Sequence, residues 1–230
     1  MEWLPASIDP VPDPWPPHRL VLRTPRLELR PDDDGSLREL VPMLHEAGVH
    51  PGSEMPFAVA WTDADPRYLG RGVAQYLWSE RARSSPESWA LHLVVRAGGA
   101  VIGLQSVTAN RFGLLREVGT GSYLGRRYQG QGYGTEMRAA VLAFAFDRLG
   151  ATSARSDHVE GNDASAQVSR RLGYRYDGTS LNTARDVREV QHRLLLTPEE
   201  FARPGWDLAV EGYTGELAGF LAADPPPADA

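Results

Sequence analysis

Apolar and polar residues alternate over several short stretches of the first half of the chain, which is typical of strands with one buried face. Leu20 and Leu22, then Leu27 and Leu29, alternate in this way around Thr24-Pro25 and predict a first strand. Two further apolar runs, residues 89–95 and 101–107, flank Gly98-Gly99 and predict a β-hairpin. Residues 118–124 then form the next predicted strand.

Helical spacing of apolar residues appears between these strands. Ser36-x-x-Glu39 has the form of a capping box and predicts the start of a helix, in which Pro42 is expected to cause a kink. Residues 50–57 are rich in proline and glycine and predict a loop. Asp65-Pro66 combines an N-cap residue with a proline at the first helical position, and predicts a second helix.

The second half of the chain alternates helices and strands. Residues 133–149 predict an apolar helix, and residues 164–172 a shorter one. Strands are predicted near 152–158, at 174 and at 187–196. The order of elements predicts an α/β (α+β) fold with a mixed, mostly antiparallel sheet flanked by helices.

One domain with additions at both ends fits the length of 230 residues. Residues 1–19 are rich in proline and predict an extended arm, in which Trp3 and Trp15 suggest packing against the domain. Residues 20–203 form the predicted domain. Residues 204–230 are expected to be a partly disordered extension with a short helix at 216–221.

Charge and composition exclude several kinds of function. The chain has no cysteine, which excludes thiolate catalysis and cysteine-based metal sites, and we expect no metal cofactor. Its net charge of −6 argues against nucleic acid as a partner. The longest apolar run, residues 139–146, is too short to cross a membrane, so we expect a cytoplasmic protein without a membrane partner. A homo-oligomer is compatible with this composition.

The most informative stretch is a glycine-rich turn between a predicted strand and the apolar helix. It contains the residues Gln129, Gly130, Gln131, Gly132, Tyr133, Gly134 and Thr135. Glycines let successive N–H groups face one point, and the start of a helix adds partial positive charge, so such a turn suits a pyrophosphate. A nucleotide P-loop would need a lysine, and a dinucleotide-binding turn would need a different glycine spacing. A turn with a purely structural role remains open at this point.

A second motif follows the next predicted strand. Asn162 precedes a helix and is expected to cap it, and Ser165 lies in the first turn of that helix. Each residue has an ordinary structural explanation when it is taken alone.

Together the two motifs, with Leu172-Gly173-Tyr174 after the second one, resemble the GNAT superfamily of acyl-CoA-dependent N-acyltransferases. The segment from Thr24 to Arg30 is similar to the first strand of its ribosomal-protein N-terminal acetyltransferase branch. Residues 50–62 and 128–141 resemble a mycobacterial subgroup associated with succinyl-CoA. The resemblance covers residues 20–197 and implies a sheet that splays between its fourth and fifth strands.

The resemblance implies a role for each matching residue. The turn from Gln129 to Thr135 would hold the pyrophosphate of acetyl-CoA or succinyl-CoA, while Leu124 and Asn162 would contact the pantetheine arm. Ser165 would protonate the departing thiolate. Arg126, Arg127 and Arg170 are candidates for contact with the 3′-phosphate. The acyl and acceptor pocket would include His50, Glu54, Met55, Phe57 and Trp61.

The glutamate base that many members carry on the fourth strand has no match, because Glu117 is expected just outside that strand. His158 is the first substitute, since a histidine ordinarily titrates near neutral pH. His50 and Glu54 are further candidates. The acceptor would be an amine of a small molecule, a peptide or a protein. A non-catalytic acyl-CoA sensor or scaffold is the alternative from another class.

Overall fold

In the part of the chain that the structure describes, nine strands pair into one mixed sheet. The computed structural model describes residues 11–52 and 54–224. The strands are β1 Val21–Arg23, β2 Leu27–Pro31, β3 Ser88–Ala97, β4 Ala100–Asn110, β5 Glu117–Leu124, β6 Ser153–Val159, β7 Arg175–Ala184, β8 Val187–Leu196 and β9 Ala209–Glu211. They lie in the order β7-β8-β6-β5-β4-β3-β2-β1-β9. All neighbours are antiparallel except β5 and β6, so the predicted fold class is confirmed.

Helices cover both faces of this sheet. They are α1 Asp34–Ala47, α2 Pro66–Arg83, α3 Phe112–Leu115, α4 Tyr133–Asp147, α5 Asp163–Arg171 and α6 Gly215–Phe220. The α4 helix is buried along most of its length and forms the centre of the main core with β1–β6. On the opposite face, α1 and α2 enclose a second apolar cluster against β3 and β4. In the described part of the chain, no helix is both long and apolar enough to cross a membrane.

The start of α1 differs from the prediction. Asp33, not Ser36, is the N-cap residue, and its Oδ1 accepts a hydrogen bond from the Ser36 amide at 2.6 Å. Ser36 lies inside the helix, where its hydroxyl and the Glu39 carboxylate both accept from Arg96. The capping-box assignment was therefore wrong by three residues. Pro42 is inside the helix, as predicted.

The predicted first strand is in fact two strands. Thr24 and Leu27 close a tight turn, because Leu27 N–H donates to the Thr24 hydroxyl at 3.0 Å and Thr24 N–H donates to the Leu27 carbonyl at 3.0 Å. This turn folds β1 back onto β2, with Leu22 opposite Leu29. Leucines alternate with other residues in the same way along one long strand and along two strands joined by a turn. The pattern therefore did not reveal that the chain reverses direction here.

The two ends of the described chain pack against each other. Segment 204–224 contributes the edge strand β9 and the helix α6, whose position agrees with the predicted short helix. Trp15 packs edge-on against Phe220 at a centroid distance of 5.2 Å. Trp3 and the rest of residues 1–10 lie outside the described residues, as do residues 225–230.

The parallel pair β5 and β6 separates partway along its length. Register pairs join Glu117, Val118 and Gly119 to the first three residues of β6, and no pairing follows. β5 then continues to Leu124 and β6 to Val159 without further backbone pairing, although the side chains of Thr120 and Ser156 still form hydrogen bonds between the two strands. This gap is the predicted separation of two strands. They are the fourth and fifth strands of the predicted sheet, because the sequence pattern predicts β1 and β2 as one strand.

Candidate functional site

The gap between β5 and β6 opens into a cavity of about 300 Å³. Its walls are the separated halves of the two strands, the starts of α4 and α5, and the loop after α1. Nine residues singled out from the sequence line it, namely His50, Glu54, Phe57, Leu124, Gln129, Gly134, His158, Asn162 and Ser165. Three segments far apart in sequence therefore meet at one point, which we call the donor cavity.

The glycine-rich turn presents free N–H groups beside this cavity. Gly130 and Gly132 have φ angles of +73° and +83°, a conformation that favours glycine, and Gly132 is the N-cap of α4. Within the described residues, the N–H groups from Gly130 to Thr135 donate no hydrogen bond, and the first helical bond is Glu136 N–H to the Gly132 carbonyl. Six donors at a helix start fit a pyrophosphate.

The two glutamines of the turn hold the backbone around these donors. The Gln129 side-chain amide donates to the carbonyls of Leu124 and Val49 at 2.9 and 2.8 Å, which ties the end of β5 to the loop after α1. The Gln131 amide donates to the Arg127 carbonyl at 2.7 Å. These side chains therefore have structural contacts, and the free donors of the turn are its main-chain N–H groups.

An ion pair that the sequence did not suggest braces the outer side of the turn. Arg26, from the turn between β1 and β2, lies 2.5 Å from the Glu136 carboxylate and donates to the Gln131 carbonyl at 3.0 Å. Its guanidinium also lies 4.6 Å from the centre of the Tyr133 ring. The residues of this brace belong to two motifs that were recognised separately, and only the fold brings them together.

Asn162 and Ser165 lie where the helix α5 meets the donor cavity. Asn162 Oδ1 accepts from the Ser165 amide at 3.1 Å, which confirms the predicted cap, and its Nδ2 donates to the Pro56 carbonyl at 3.1 Å. Ser165 lines the cavity, and its hydroxyl has no hydrogen bond to another described residue. It is therefore available to a bound molecule.

The candidate bases His158, His50 and Glu54 all line the donor cavity, whereas Glu117 does not. The His158 ring stacks at 5.0 Å from the His192 ring, and its Nδ1 lies 3.2 Å from the Val159 carbonyl. Glu117 is the first residue of β5, not outside it as expected. Its carboxylate binds Arg155 at 2.8 Å and Ser153 at 3.1 Å, at the end of the strand away from the cavity.

The loop of residues 49–63 forms one wall of the donor cavity. Its His50 Nε2 lies 2.7 Å from the Thr62 hydroxyl, and its Nδ1 lies 2.6 Å from the Pro51 carbonyl. Asp63 forms a bidentate ion pair with Arg185, which lies in the turn between β7 and β8. Glu54 is exposed at the rim, whereas Met55 and Trp61 face other cavities.

A buried arginine in the donor cavity was missed in the sequence. Arg138, on α4, is 4% exposed and donates to the hydroxyls of Ser169 at 2.9 Å and Ser122 at 3.1 Å. Its Nε has no partner among the described residues, and burial lowers its pKa. An arginine stays charged at physiological pH. The only available signal was one basic residue at the start of an apolar helix.

The three arginines considered for the 3′-phosphate are all exposed. Arg127 is paired with Glu46 at 3.5 Å, and Arg126 N–H donates to the Gly48 carbonyl. Arg170 lies in the last turn of α5. Their positions therefore do not show which of the three arginines would contact the 3′-phosphate.

Comparison with known proteins agrees with this geometry. The model of the acetyltransferase (GNAT) domain family matches residues 19–175. Among solved structures, Mycobacterium smegmatis RimJ in complex with CoA-disulfide is 18% identical with a TM-score of 0.63, covering 81% of this chain and 90% of that one. A GCN5-related N-acetyltransferase from Brucella melitensis is 17% identical with a TM-score of 0.62, covering 84% of each chain.

A third similar structure is RimL, a ribosomal L7/L12 alpha-N-protein acetyltransferase, solved in complex with coenzyme A. It is 16% identical with a TM-score of 0.60, and the match covers 76% of this chain and 95% of that one. At these identities the structures establish a common fold, whereas the family match spans more than half of the chain. The protein therefore belongs to the GNAT acetyltransferase family.

Proposed function

We propose that this protein transfers an acyl group from coenzyme A to a primary amine, by direct transfer in the donor cavity. The observation that carries the proposal is the set of free N–H groups from Gly130 to Thr135 beside the gap between β5 and β6. The N–H groups hold the pyrophosphate, and the unpaired edge of β5 near Leu124 pairs with the pantetheine arm as an added strand does. RimJ and RimL, which have the same fold, are described with coenzyme A bound.

Acyl-CoA supplies the activated acyl group when it is bound, and residues of the chain donate and accept the protons. The amine nitrogen bonds to the thioester carbon, the carbon–sulfur bond breaks, and the sulfur leaves as a thiolate. Ser165 lines the cavity and gives that thiolate a proton, and the proton that the amine loses then restores the Ser165 hydroxyl by way of solvent. His158 accepts the proton that the amine loses, directly or through water, while Asn162 orients the start of α5 beside the pantetheine arm.

The acyl donor is proposed to be succinyl-CoA in preference to acetyl-CoA. A second carboxylate in a partly dry cavity needs a cation or several donors, because an unpaired buried charge is strongly unfavourable. His50 and Thr62 are two possible donors in the loop of residues 49–63, but their side chains are bonded to each other. Arg138 supports the proposal better, since its charge is buried in the same cavity and forms no ion pair with any described residue.

The donor is tested by comparing kcat/KM for succinyl-CoA and acetyl-CoA with the same amine. We expect succinyl-CoA to be preferred, and we expect Arg138→Met to reduce that preference by about tenfold or more, as for loss of a charge-assisted hydrogen bond. Arg148→Met, an exposed change at the other end of α4, is the matched control. Because the readout is a ratio, a change in the folded fraction cancels. A preference for acetyl-CoA in the unchanged protein would reject the donor assignment and leave acyl transfer intact.

The acceptor is proposed to be an amine of a small molecule, a peptide or a protein, in the cytoplasm. RimL is described as acting on the alpha-amine of a ribosomal protein, which favours a peptide-like acceptor here. Release of free thiol from acyl-CoA, measured with and without amines, tests the function. Binding of acyl-CoA without amine-dependent release would favour the alternative of a non-catalytic sensor or scaffold.

A further inference from the structure

A second cavity lies against the sheet on the face opposite α4. It has a volume of about 450 Å³ and is enclosed by α2, the loop of residues 57–64 and the strands β3–β5. Its walls are mainly apolar and include Trp61, Leu69, Val73, Tyr76, Leu77 and Leu104. This cavity is not needed to bind coenzyme A, and we call it the apolar cavity.

The apolar cavity adjoins the donor cavity. Four residues line both of them, namely Phe57, Gly121, Ser122 and Tyr123. Three of these belong to the half of β5 that has separated from β6. A molecule in the apolar cavity would therefore lie next to the donor cavity, on the face of the sheet opposite α4.

Two residues that line this cavity each carry a buried polar atom that has no partner among the described residues. These atoms are Nε2 of His92 and the hydroxyl of Tyr123. The other nitrogen of His92 lies 2.7 Å from the Ser106 hydroxyl, so this ring is held in place. Burial lowers the pKa of His92 to about 4 and raises that of Tyr123, so both groups are uncharged at neutral pH. Buried polar atoms usually have partners, and a ligand in the cavity would supply one once a small shift of either side chain brings its polar atom to the cavity surface.

We propose that the apolar cavity binds a large apolar group of the amine acceptor, about the size of an aromatic ring, that carries one uncharged hydrogen-bonding atom. The inference rests on the proposed acyl transfer and narrows the range of amines that would serve as its acceptor. Burial of the ring provides the affinity, and His92 or Tyr123 bonds the polar atom. A second charged group would be excluded, because the residues that line this cavity include no Asp, Glu, Lys or Arg that could pair with it.

Small amines and the N-termini of peptides can both carry such a group, and the experiment tests the two kinds of acceptor separately. The small amines are phenethylamine and tyramine, compared with ethanolamine and spermidine. The peptides begin with phenylalanine or tyrosine, compared with serine. We expect kcat/KM to be at least about tenfold higher for the aromatic members of each set, with tyrosine-like acceptors above phenylalanine-like ones. Equal rates with aromatic and polar amines would overturn the proposal.

Gly72 offers a way to fill the cavity without strain. It lies on α2 and lines the apolar cavity, and a Cβ at this position would have no other atom within 4 Å. We expect Gly72→Leu to lower kcat/KM for phenethylamine at least about tenfold and to change that for ethanolamine less than about twofold. Gln75→Leu adds the same side chain at a position of the same helix that does not line the cavity, and is expected to change neither. An effect of Gly72→Leu that is equal for both amines would contradict the assignment.

Binding can be followed without catalysis, because Trp61 lines the cavity. Titration with phenethylamine should change tryptophan fluorescence in the unchanged protein and in Gln75→Leu, but not in Gly72→Leu. If no amine is acylated and this pattern is still found, the proposed function fails and the ligand site stands. If amines are acylated without aromatic preference and fluorescence does not respond, the ligand site fails and the function stands.

Discussion

Arg26 and Glu136 are 110 residues apart in the sequence and meet 2.5 Å apart at the start of α4. Glu136 is 8% exposed, and it also accepts from the Thr24 hydroxyl at 2.6 Å and from the Arg26 amide at 3.1 Å. Arg26 in turn donates to the carbonyl of Gln131. One arginine therefore fixes the turn after β1, the first turn of α4 and the glycine-rich segment between β5 and α4.

Removal of this arginine should loosen the pyrophosphate turn. We expect Arg26→Ala to reduce the free energy of unfolding by about 1–3 kcal/mol, because the Glu136 carboxylate loses its charged partner while it keeps two other donors. We also expect weaker binding of CoA thioesters. Urea unfolding and calorimetry measure the two effects. Arg30→Ala, which breaks only a pair with half-exposed Glu28, is the control and should change stability by less than about 1 kcal/mol. Equal losses in both variants would contradict the bracing role.

A substitution at Gly132 should abolish coenzyme A binding and leave the sheet folded. Gly132 has a φ angle of +83°, and a Cβ there would lie 3.3 Å from a guanidinium nitrogen of Arg26. A β-branched residue is strained in this conformation by about 1–2 kcal/mol, so we expect Gly132→Val to shift the N–H groups away from their common point.

The control for that variant is Gly99→Val in the β3–β4 hairpin. Gly99 has a φ angle of +84° and open space around it. Valine at this position should therefore cause a similar backbone strain, but far from the donor cavity. Calorimetry with acetyl-CoA should show binding in Gly99→Val and none in Gly132→Val. Unchanged affinity in Gly132→Val would reject the turn as the pyrophosphate site.

Ser165→Ala should lower turnover more than it weakens binding. The Ser165 hydroxyl has no hydrogen bond to another described residue, whereas its backbone amide completes the cap with Asn162. The substitution therefore removes a proton donor and leaves the helix start unchanged. We expect kcat to fall about 10²-fold or more and the Kd for CoA to change less than about threefold. Equal losses in kcat and affinity would make Ser165 a binding residue.

Two buried groups should give stability opposite dependences on pH. Burial raises the pKa of Asp32 to about 7 against the opposing effect of Arg81, and burial lowers that of His92 to about 4. Between pH 4 and 7 the folded state holds a proton on Asp32 that the unfolded state has lost, so this group makes stability fall as pH rises. Between pH 4 and 6.5 the unfolded state binds a proton at His92 that the folded state does not, so this group makes stability rise.

The two contributions largely cancel in the unchanged protein and separate in variants. Relative to that protein, His92→Gln should gain stability as pH falls from 7 to 4.5, by up to about 3 kcal/mol. Asp32→Asn should instead gain relative stability as pH rises over the same range. Urea unfolding at the two pH values measures both. Parallel pH profiles for the two variants would contradict this account.

The sequence predicted most of the elements, because their apolar periodicity is local. The hairpin around Gly98-Gly99, the start of α2 at Asp65 and the gap beside β5 are all where they were expected. Errors arose where two local patterns look alike. Asp33 and Ser36 are both good caps, and the choice between them depends on the path of the chain from β2.

The site was predictable only in part. The glycine-rich turn and Asn162 are visible as motifs, since their contacts are made within a few residues. Arg26 and Arg138 were not, because their partners lie 110 and 31 residues away and only the packed fold brings them together. The apolar cavity was also hidden, since strand and helix positions that line a cavity follow the same apolar pattern as core positions.

The most direct test of acyl transfer is to count products from the full chain, an acyl-CoA donor and an amine acceptor. We predict that each molecule of free coenzyme A is matched by one new amide on the acceptor nitrogen, measured by thiol titration and mass spectrometry. Release should require the amine and should be lost in Gly132→Val but kept in Gly99→Val. Tight acyl-CoA binding without any amide, for acetyl and succinyl donors and for aromatic and polar amines alike, would contradict the proposed enzyme and favour a sensor.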